Sequence, residues 1–353
     1  MSETIQTDIT KLFKIKHPIL LAGMNVAAGP ELAAAVTNAG GLGVIGGVGY
    51  TPEQLRKNIA DIKKHLKDKS APFGVDLLLP QVGGSARKTN TDYTGGKLPE
   101  LIDIIIAEKA ALFVAAVGIP PKWAVDKLHA AGIPIMNMIG APKHALKAIE
   151  AGADIICAQG GEGGGHTGEI ATSILIPKVA DICSKHKSSF TGQPIHVIAA
   201  GGIYDGRGLA FALALGAKAV WVGTRFVCAT EASAPKAHQE AIIKAGHSDT
   251  IRTIIFTGRP MRVLKNSYIE SWEGNRRDEI KKLTSQGIIP VYHDLQTKGD
   301  EIDDETAMQA HPWLMGQVAG SIQDIKPAQE IIDEMVTTAA KILRQLSGQI
   351  ARL

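Results

Sequence analysis

The densest chemistry in this sequence lies in the run Gln159-Gly160-Gly161-Glu162-Gly163-Gly164-Gly165-His166-Thr167-Gly168. An imidazole titrates near neutrality, so His166 is the residue here best able to take or give a proton. The glycines around it let backbone N–H groups approach a flat ring or an anion closely. Glu162 and Glu169 either assist His166 or stand as solvated loop charges. The competing reading of the whole run is a flexible surface loop. Two further turns suit a phosphate. Ala199-Ala200-Gly201-Gly202-Ile203 and Val222-Gly223-Thr224-Arg225 each end an apolar run and lead into a helix-prone segment. Backbone N–H groups there, aided by the positive end of a helix dipole, would cradle an anion. A Gly-x-Gly-x-x-Gly match at Gly41–Gly46 follows a helical stretch and coincides with a strand, the reverse of the order a dinucleotide fingerprint needs, and is a chance match.

The elements that position these residues repeat regularly. Eight short apolar runs are bounded by Gly or Pro: Pro18–Ala22, Gly43–Gly46, Pro72–Leu79, Ala111–Val117, Ile133–Met138, Asp154–Ala158, Ile195–Ala199 and Ala219–Val222. They are too short for stable helices and lack polar alternation, as strands covered on both faces do. Helical stretches separate them. Thr51-Pro52-Glu53-Gln54 reads as a capping box with Pro at the first helical position. Lys143–Ala151 and Leu209–Leu215 end at Gly152 and Gly216, which suit helix C-termini. The helix after the glycine run is expected to begin near Pro177. This α/β alternation predicts a (β/α)8 TIM barrel, with a doubly wound open sheet as the competitor. Its Gly- and His-bearing loops then fall at the strands' C-terminal ends, where barrel enzymes keep their chemistry. From residue 231 to 310 the rhythm changes to charged helical patterns (Lys236–Ala245, Asp278–Gln286), read as a smaller, mainly helical cap. The expected organisation is a barrel over 1–230, that insertion, and a C-terminal segment over 311–353. Its amphipathic stretch Ile325–Leu346 closes the barrel as the last outer helix.

Composition excludes several classes. The 353 residues hold 38 Lys+Arg against 35 Asp+Glu, and no basic stripe stands out, so nucleic acid is not expected as a partner. Cys157, Cys183 and Cys228 lie far apart in apolar surroundings and read as buried free thiols in a reducing compartment. The other histidines show no ligand spacing, so no metal site is expected. The polar start, Met-Ser-Glu-Thr, is unlike a signal peptide. No apolar run approaches the roughly 18 residues that span a bilayer. A cytoplasmic protein with a small-molecule substrate is expected; a homodimer stays open.

Ala22-Gly23-Met24, Gln159 to His166, Ala200-Gly201-Gly202-Ile203 and Gly223-Thr224-Arg225, in this order, resemble the nitronate monooxygenase (2-nitropropane dioxygenase-like) flavoproteins. The resemblance runs from about residue 11 to 230 and continues into Thr257-Gly258-Arg259-Pro260 and Gly316-Gln317. It implies non-covalent FMN at the barrel's C-terminal mouth, its phosphate on Gly201, Gly202, Gly223 and Thr224. Gly23, Met24 and Asn25 would line the ring edge. Gln159, Gly164 and Gly165 would meet the cofactor from the sixth loop, and Gln317 from the C-terminal segment. His166 falls where similar enzymes keep the active-site histidine, and those enzymes oxidise alkyl nitronates with O2. The flavin carries the redox step, and the protein supplies binding and orientation.

Three departures bear on the reaction. Asp76 stands in the third strand where many relatives have Asn, among the cofactor contacts. The tyrosine set expected around small nitroalkanes is missing. The loop Gly83–Lys97 is long, polar and basic, which makes Arg87, Lys88 and Tyr93 candidates for contact with a larger or anionic substrate. A NAD(P)H-linked oxidoreductase acting on an acyl or enoyl thioester or a quinone is therefore the alternative. A flavin-binding module without turnover is the non-enzymatic one, against which His166 argues.

Overall fold

The computed structural model describes residues 3–299 and 303–350. All eight expected strands form, as Ile19–Leu21, Gly43–Gly47, Phe73–Leu79, Leu112–Gly118, Ile135–Ile139, Ile155–Gln159, His196–Ala200 and Ala219–Val222. They make one parallel sheet in which each strand pairs with its neighbour in this series, and the first with the eighth. A parallel bridge from Leu20 to Leu42 joins the first strand to the second, which closes the cylinder. The sheet is a (β/α)8 barrel.

Buried on both faces, these strands are apolar throughout. The inward side chains, among them Leu20, Val44, Val114, Met136, Cys157, Ile198 and Trp221, fill the barrel. Ile9 and Phe13 of the short helix Asp8–Phe13 join that interior cluster, and Asp8 pairs with Lys218, just before the eighth strand, so this helix plugs the N-terminal end. A second apolar layer lies between strands and outer helices. The capping box at Thr51 forms, its hydroxyl accepting from the Gln54 amide at 3.2 Å while Gln54 Oε1 accepts from the Thr51 amide at 3.0 Å.

The last outer helix, Ala328–Gly348, packs between Gly206–Ala214 and Pro30–Asn38 and completes the ring. A side chain at Gly206 would come within 2.5 Å of the Met335 carbonyl, so the glycine sets how closely the two helices approach. One expectation needs correction. The helix after the glycine run begins at Thr172, with Pro177 inside it. The proline removes a bond to the Ser173 carbonyl, and because Ser173 is exposed, water can take that carbonyl.

Among the described residues, the segment between the eighth strand and the final helix holds five helices from Lys236–Lys244 to Asp304–Gln309. It also holds a hairpin, Thr250–Thr253 with Met261–Leu264, which the mainly helical reading of 231–310 did not include. This insertion has its own core around Trp272, Ile269, Val263 and Leu283. The Arg276 guanidinium lies 3.3 Å from the centre of the Trp272 ring and forks onto Glu279 and the buried Asp294. Tyr268 donates to the same Asp294 at 3.1 Å.

Candidate active site

The strands' C-terminal ends open into a cavity of about 1740 Å3 roofed by the inserted segment. Its floor comes from the barrel. Asp76, on the third strand, faces inward beside Gly46 and Gly23 and is 1% exposed, with Oδ1 lacking any hydrogen-bond partner. Burial pushes its carboxyl well above the usual carboxylate range. Asn137 of the fifth strand was not singled out from sequence. It too is buried, and its Oδ1 is unpartnered while Nδ2 donates to the Met138 carbonyl at 3.1 Å. The signal for it was there: Asn137 is the one polar residue in Ile133–Met138.

The glycine run leaves the sixth strand and folds back on itself. Gln159 Nε2 donates to the His166 carbonyl at 2.9 Å and to the Gly164 carbonyl at 3.3 Å, so this side chain ties the loop as well as lining the cavity. Glu162 does not reach His166. Its carboxylate accepts from the Thr172 amide at 3.1 Å and from the Thr172 hydroxyl at 2.9 Å, capping the following helix. Glu169 is exposed and lies 3.8 Å from Arg252. Gly165 and His166 pair antiparallel with Arg262 and Met261, which makes the histidine loop the third strand of the hairpin's sheet. His166 Nε2 lies 3.1 Å from Thr257 Oγ1. Burial, then the charge of Arg259, lowers its pKa to about 4, so the ring is neutral at physiological pH.

On the opposite side, Gly201 and Gly202 follow the seventh strand with φ of +87° and +73°, conformations natural to glycine. Gly223 and Thr224 follow the eighth. Thr224 Oγ1 accepts from the Gly316 amide at 3.0 Å, which leaves its hydroxyl proton for an anion. Gly316 in turn lies against Gly164, where a Cβ would come 2.7 Å from the Gly316 amide nitrogen. The C-terminal segment therefore meets the glycine run and the phosphate turn together.

Gly23, Met24, Asn25, Asp76, Gln159, Gly164, Gly165, His166, Gly201, Gly202, Gly223 and Thr224 all line this one cavity, with Arg87 and Tyr93. Gln317 and Lys88 do not. Gln317 is exposed, and its backbone amide donates to the Glu162 carbonyl at 3.0 Å, while Gly316 and Val318 on either side of it face the cavity. Lys88 is exposed and packs its backbone against Gly287.

A scan against family models matches residues 6–338 to nitronate monooxygenase. The chain belongs to that family. Its relatives differ in chemistry. One is a 5-hydroxy-7a-methyl-1-oxo-octahydro-1H-indene-4-carboxyl-CoA dehydrogenase of Rhodococcus jostii, 35% identical over 98% of this chain and 99% of that one. FabK from Thermotoga maritima has a structure with a TM-score of 0.78 at 33% identity, covering 98% of this chain and all of that one. The nitroalkane oxidase from Streptomyces ansochromogenes has a TM-score of 0.76 at 25% identity, covering 96% of this chain and 99% of that one.

Members of the family are flavin-dependent oxidoreductases, and the residues present fit FMN. The unpartnered Asp76 and Asn137 oxygens want the polar edge of a ring. Gly201, Gly202 and Gly223, which carry no side chain, line the same cavity with the Thr224 hydroxyl, a lining open to a phosphate. No helix among the described residues is long and apolar enough to cross a membrane, and these residues hold no cluster of metal-ligating side chains.

Proposed function

We propose that this protein is an FMN-dependent oxidoreductase whose substrate is an acyl or enoyl thioester, with a nicotinamide nucleotide as the second redox partner. Cavity size carries the reading. At about 1740 Å3 the space exceeds the roughly 300–1,000 Å3 of an ordinary small-ligand pocket. FMN and a small alkyl nitronate would leave much of it empty. The walls suit a long apolar substrate: Val26, Val48, Ile119, Tyr292, Leu295 and Leu314 line the cavity and stay exposed. The carboxyl-CoA dehydrogenase among the relatives supports the same substrate class.

Bound FMN supplies the electron transfer. The chain's own part is to hold the phosphate on Gly201, Gly202, Gly223 and Thr224 and to meet the ring with Asp76 and Asn137. His166 positions the substrate. With Nε2 engaged by Thr257, its Nδ1 is the nitrogen left for the substrate, and a ring kept neutral by burial positions that substrate through a hydrogen bond without adding charge.

Oxidation of an alkyl nitronate by O2 is the second reading. It is favoured by the likeness to nitroalkane oxidase.

An anaerobic titration of the flavin-loaded protein tests the choice, with NADH, NADPH and propyl nitronate in separate cuvettes and an enoyl thioester added last. The visible flavin band should bleach with one nicotinamide nucleotide, return on addition of the thioester, and ignore the nitronate. Bleaching by nitronate alone, with no response to the thioester, replaces the proposal with the second reading.

A further inference from the structure

We propose that Arg87 and Arg259 form a phosphate-binding subsite at the rim of the cavity. It takes the phosphate or diphosphate of a carrier whose reactive end reaches inward to His166. The inference deepens the thioester reading and rests on it for the identity of the carrier.

The two guanidiniums come from distant parts of the chain and are joined through neutral partners. Arg87 Nη1 donates to the Gly258 carbonyl at 3.2 Å, and Arg259 Nε donates to Asn90 Oδ1 at 3.0 Å. Among the described residues, neither lies within ion-pair distance of a carboxylate; the arginines that do are Arg225, Arg252, Arg276 and Arg344. A guanidinium carries five N–H donors, so one protein bond apiece leaves most of both forks free.

The frame that holds them is tight. Gly258 sits at φ +69°, and a Cβ there would lie 2.1 Å from Thr89 Oγ1, so the turn 257–260 and the loop 87–90 are interlocked. Two like charges are thereby kept as neighbours: burial, then the charge of Arg87, pulls the Arg259 guanidinium below its ordinary value. An arriving anion relieves that repulsion, and a bidentate fork matches phosphate geometry.

The charge count selects the ligand. A carboxylate would neutralise one guanidinium and leave the other, whereas a phosphomonoester or a diphosphate, with about two negative charges, matches the pair. Location agrees. Both side chains line the cavity, Arg87 exposed and Arg259 half-buried. The anion therefore stays partly hydrated while the rest of the molecule extends inward. Two carriers share this chemistry, the acyl carrier of the thioester and the nicotinamide nucleotide.

The test is calorimetric titration of the flavin-loaded wild type, Arg87→Gln and Arg259→Gln with inorganic pyrophosphate, acetate, coenzyme A and NADP+. Each substitution should weaken pyrophosphate roughly tenfold to a hundredfold, the range for a lost hydrogen bond to a charged group. One nucleotide should lose affinity with it, and which one does names the carrier. Equal pyrophosphate affinity in all three proteins, or acetate competing as well as pyrophosphate, overturns the subsite. Flavin content and melting temperature are read on every sample, and because Arg87 is exposed, Arg87→Gln decides the matter if Arg259→Gln misfolds. A protein that loses pyrophosphate affinity in the variants, yet gives no thioester response in the anaerobic titration, keeps the subsite and loses the thioester reading.

Discussion

Replacing His166 with Asn separates proton chemistry from cofactor binding and has a stability signature that follows from burial. The folded ring titrates at about 4, against 6.5 for a free imidazole. Between those values the unfolded chain binds a proton that the folded chain does not, so stability rises with pH across this window and is flat on either side. The gap corresponds to about 3 kcal/mol, and cavity water reduces it to roughly 2–3 kcal/mol. Asn has no such titration but can keep a hydrogen bond to Thr257. Urea unfolding of both proteins at half-unit steps from pH 4 to pH 7.5 gives the difference directly. Wild type should lose roughly 2–3 kcal/mol more than His166→Asn on going from pH 7 to pH 4. In turnover assays the variant should retain flavin and lose activity, and the wild-type rate should show no acid limb near 6.5. Parallel stability curves would refute the buried, neutral histidine. Near-normal turnover in the variant would remove it from the active site.

Asp76→Asn removes a carboxyl whose folded pKa is raised. The folded state holds its proton where the unfolded chain has released it, so the native residue costs stability increasingly as pH rises above the usual carboxylate range. The variant should therefore melt higher than wild type at pH 8, converge with it near pH 4, and keep its flavin, as differential scanning fluorimetry can show. Gly201→Ala forces a left-handed residue and sets a Cβ 2.8 Å from the Gly160 carbonyl oxygen, so FMN retention on desalting should fall at least tenfold. Gly83→Ala, left-handed as well at φ +79° but with nothing within 4 Å and outside the cavity lining, shares the backbone strain and should leave retention unchanged. Arg225→Met breaks the 2.8 Å pair with Asp324 that ties the turn after the eighth strand to the C-terminal segment. Because Asp324 is half-exposed, the loss should be about 1–2 kcal/mol by chemical denaturation, below the range for a fully buried pair.

The barrel was readable because strands covered on both faces can carry only apolar residues, and glycine or proline marks each end. The outer helices announced themselves through caps such as Thr51 and Gln54, whose chemistry is local. The glycine turns and His166 were likewise local signals, and one cavity gathers them. What stayed hidden depends on partners far along the chain. Thr250–Thr253 and Met261–Leu264 are four residues each, too short for a periodic signal, and their register is set by Gly165 and His166 about a hundred positions earlier. Glu162 looked like an acid beside a histidine, and only the fold shows its carboxylate turned to the Thr172 amide. Pro177 suits a helix start by its local chemistry, and only the fold shows that the helix begins five residues earlier, at Thr172, on a turn whose exposed Ser173 tolerates the lost bond.

The pairing of Met261 with His166 makes the inserted segment something other than a hinged door. A lid that swings clear of its site must be mechanically separate from the reacting groups, and here the roof and the histidine share one small sheet. Lifting the hairpin would carry His166 away with it. Exchange of substrate and product would then pass along the flanks of the roof, and grafting another relative's insertion onto this barrel would re-aim the imidazole along with changing the walls. The walls of the roof and the aim of His166 are thus mechanically coupled in this chain.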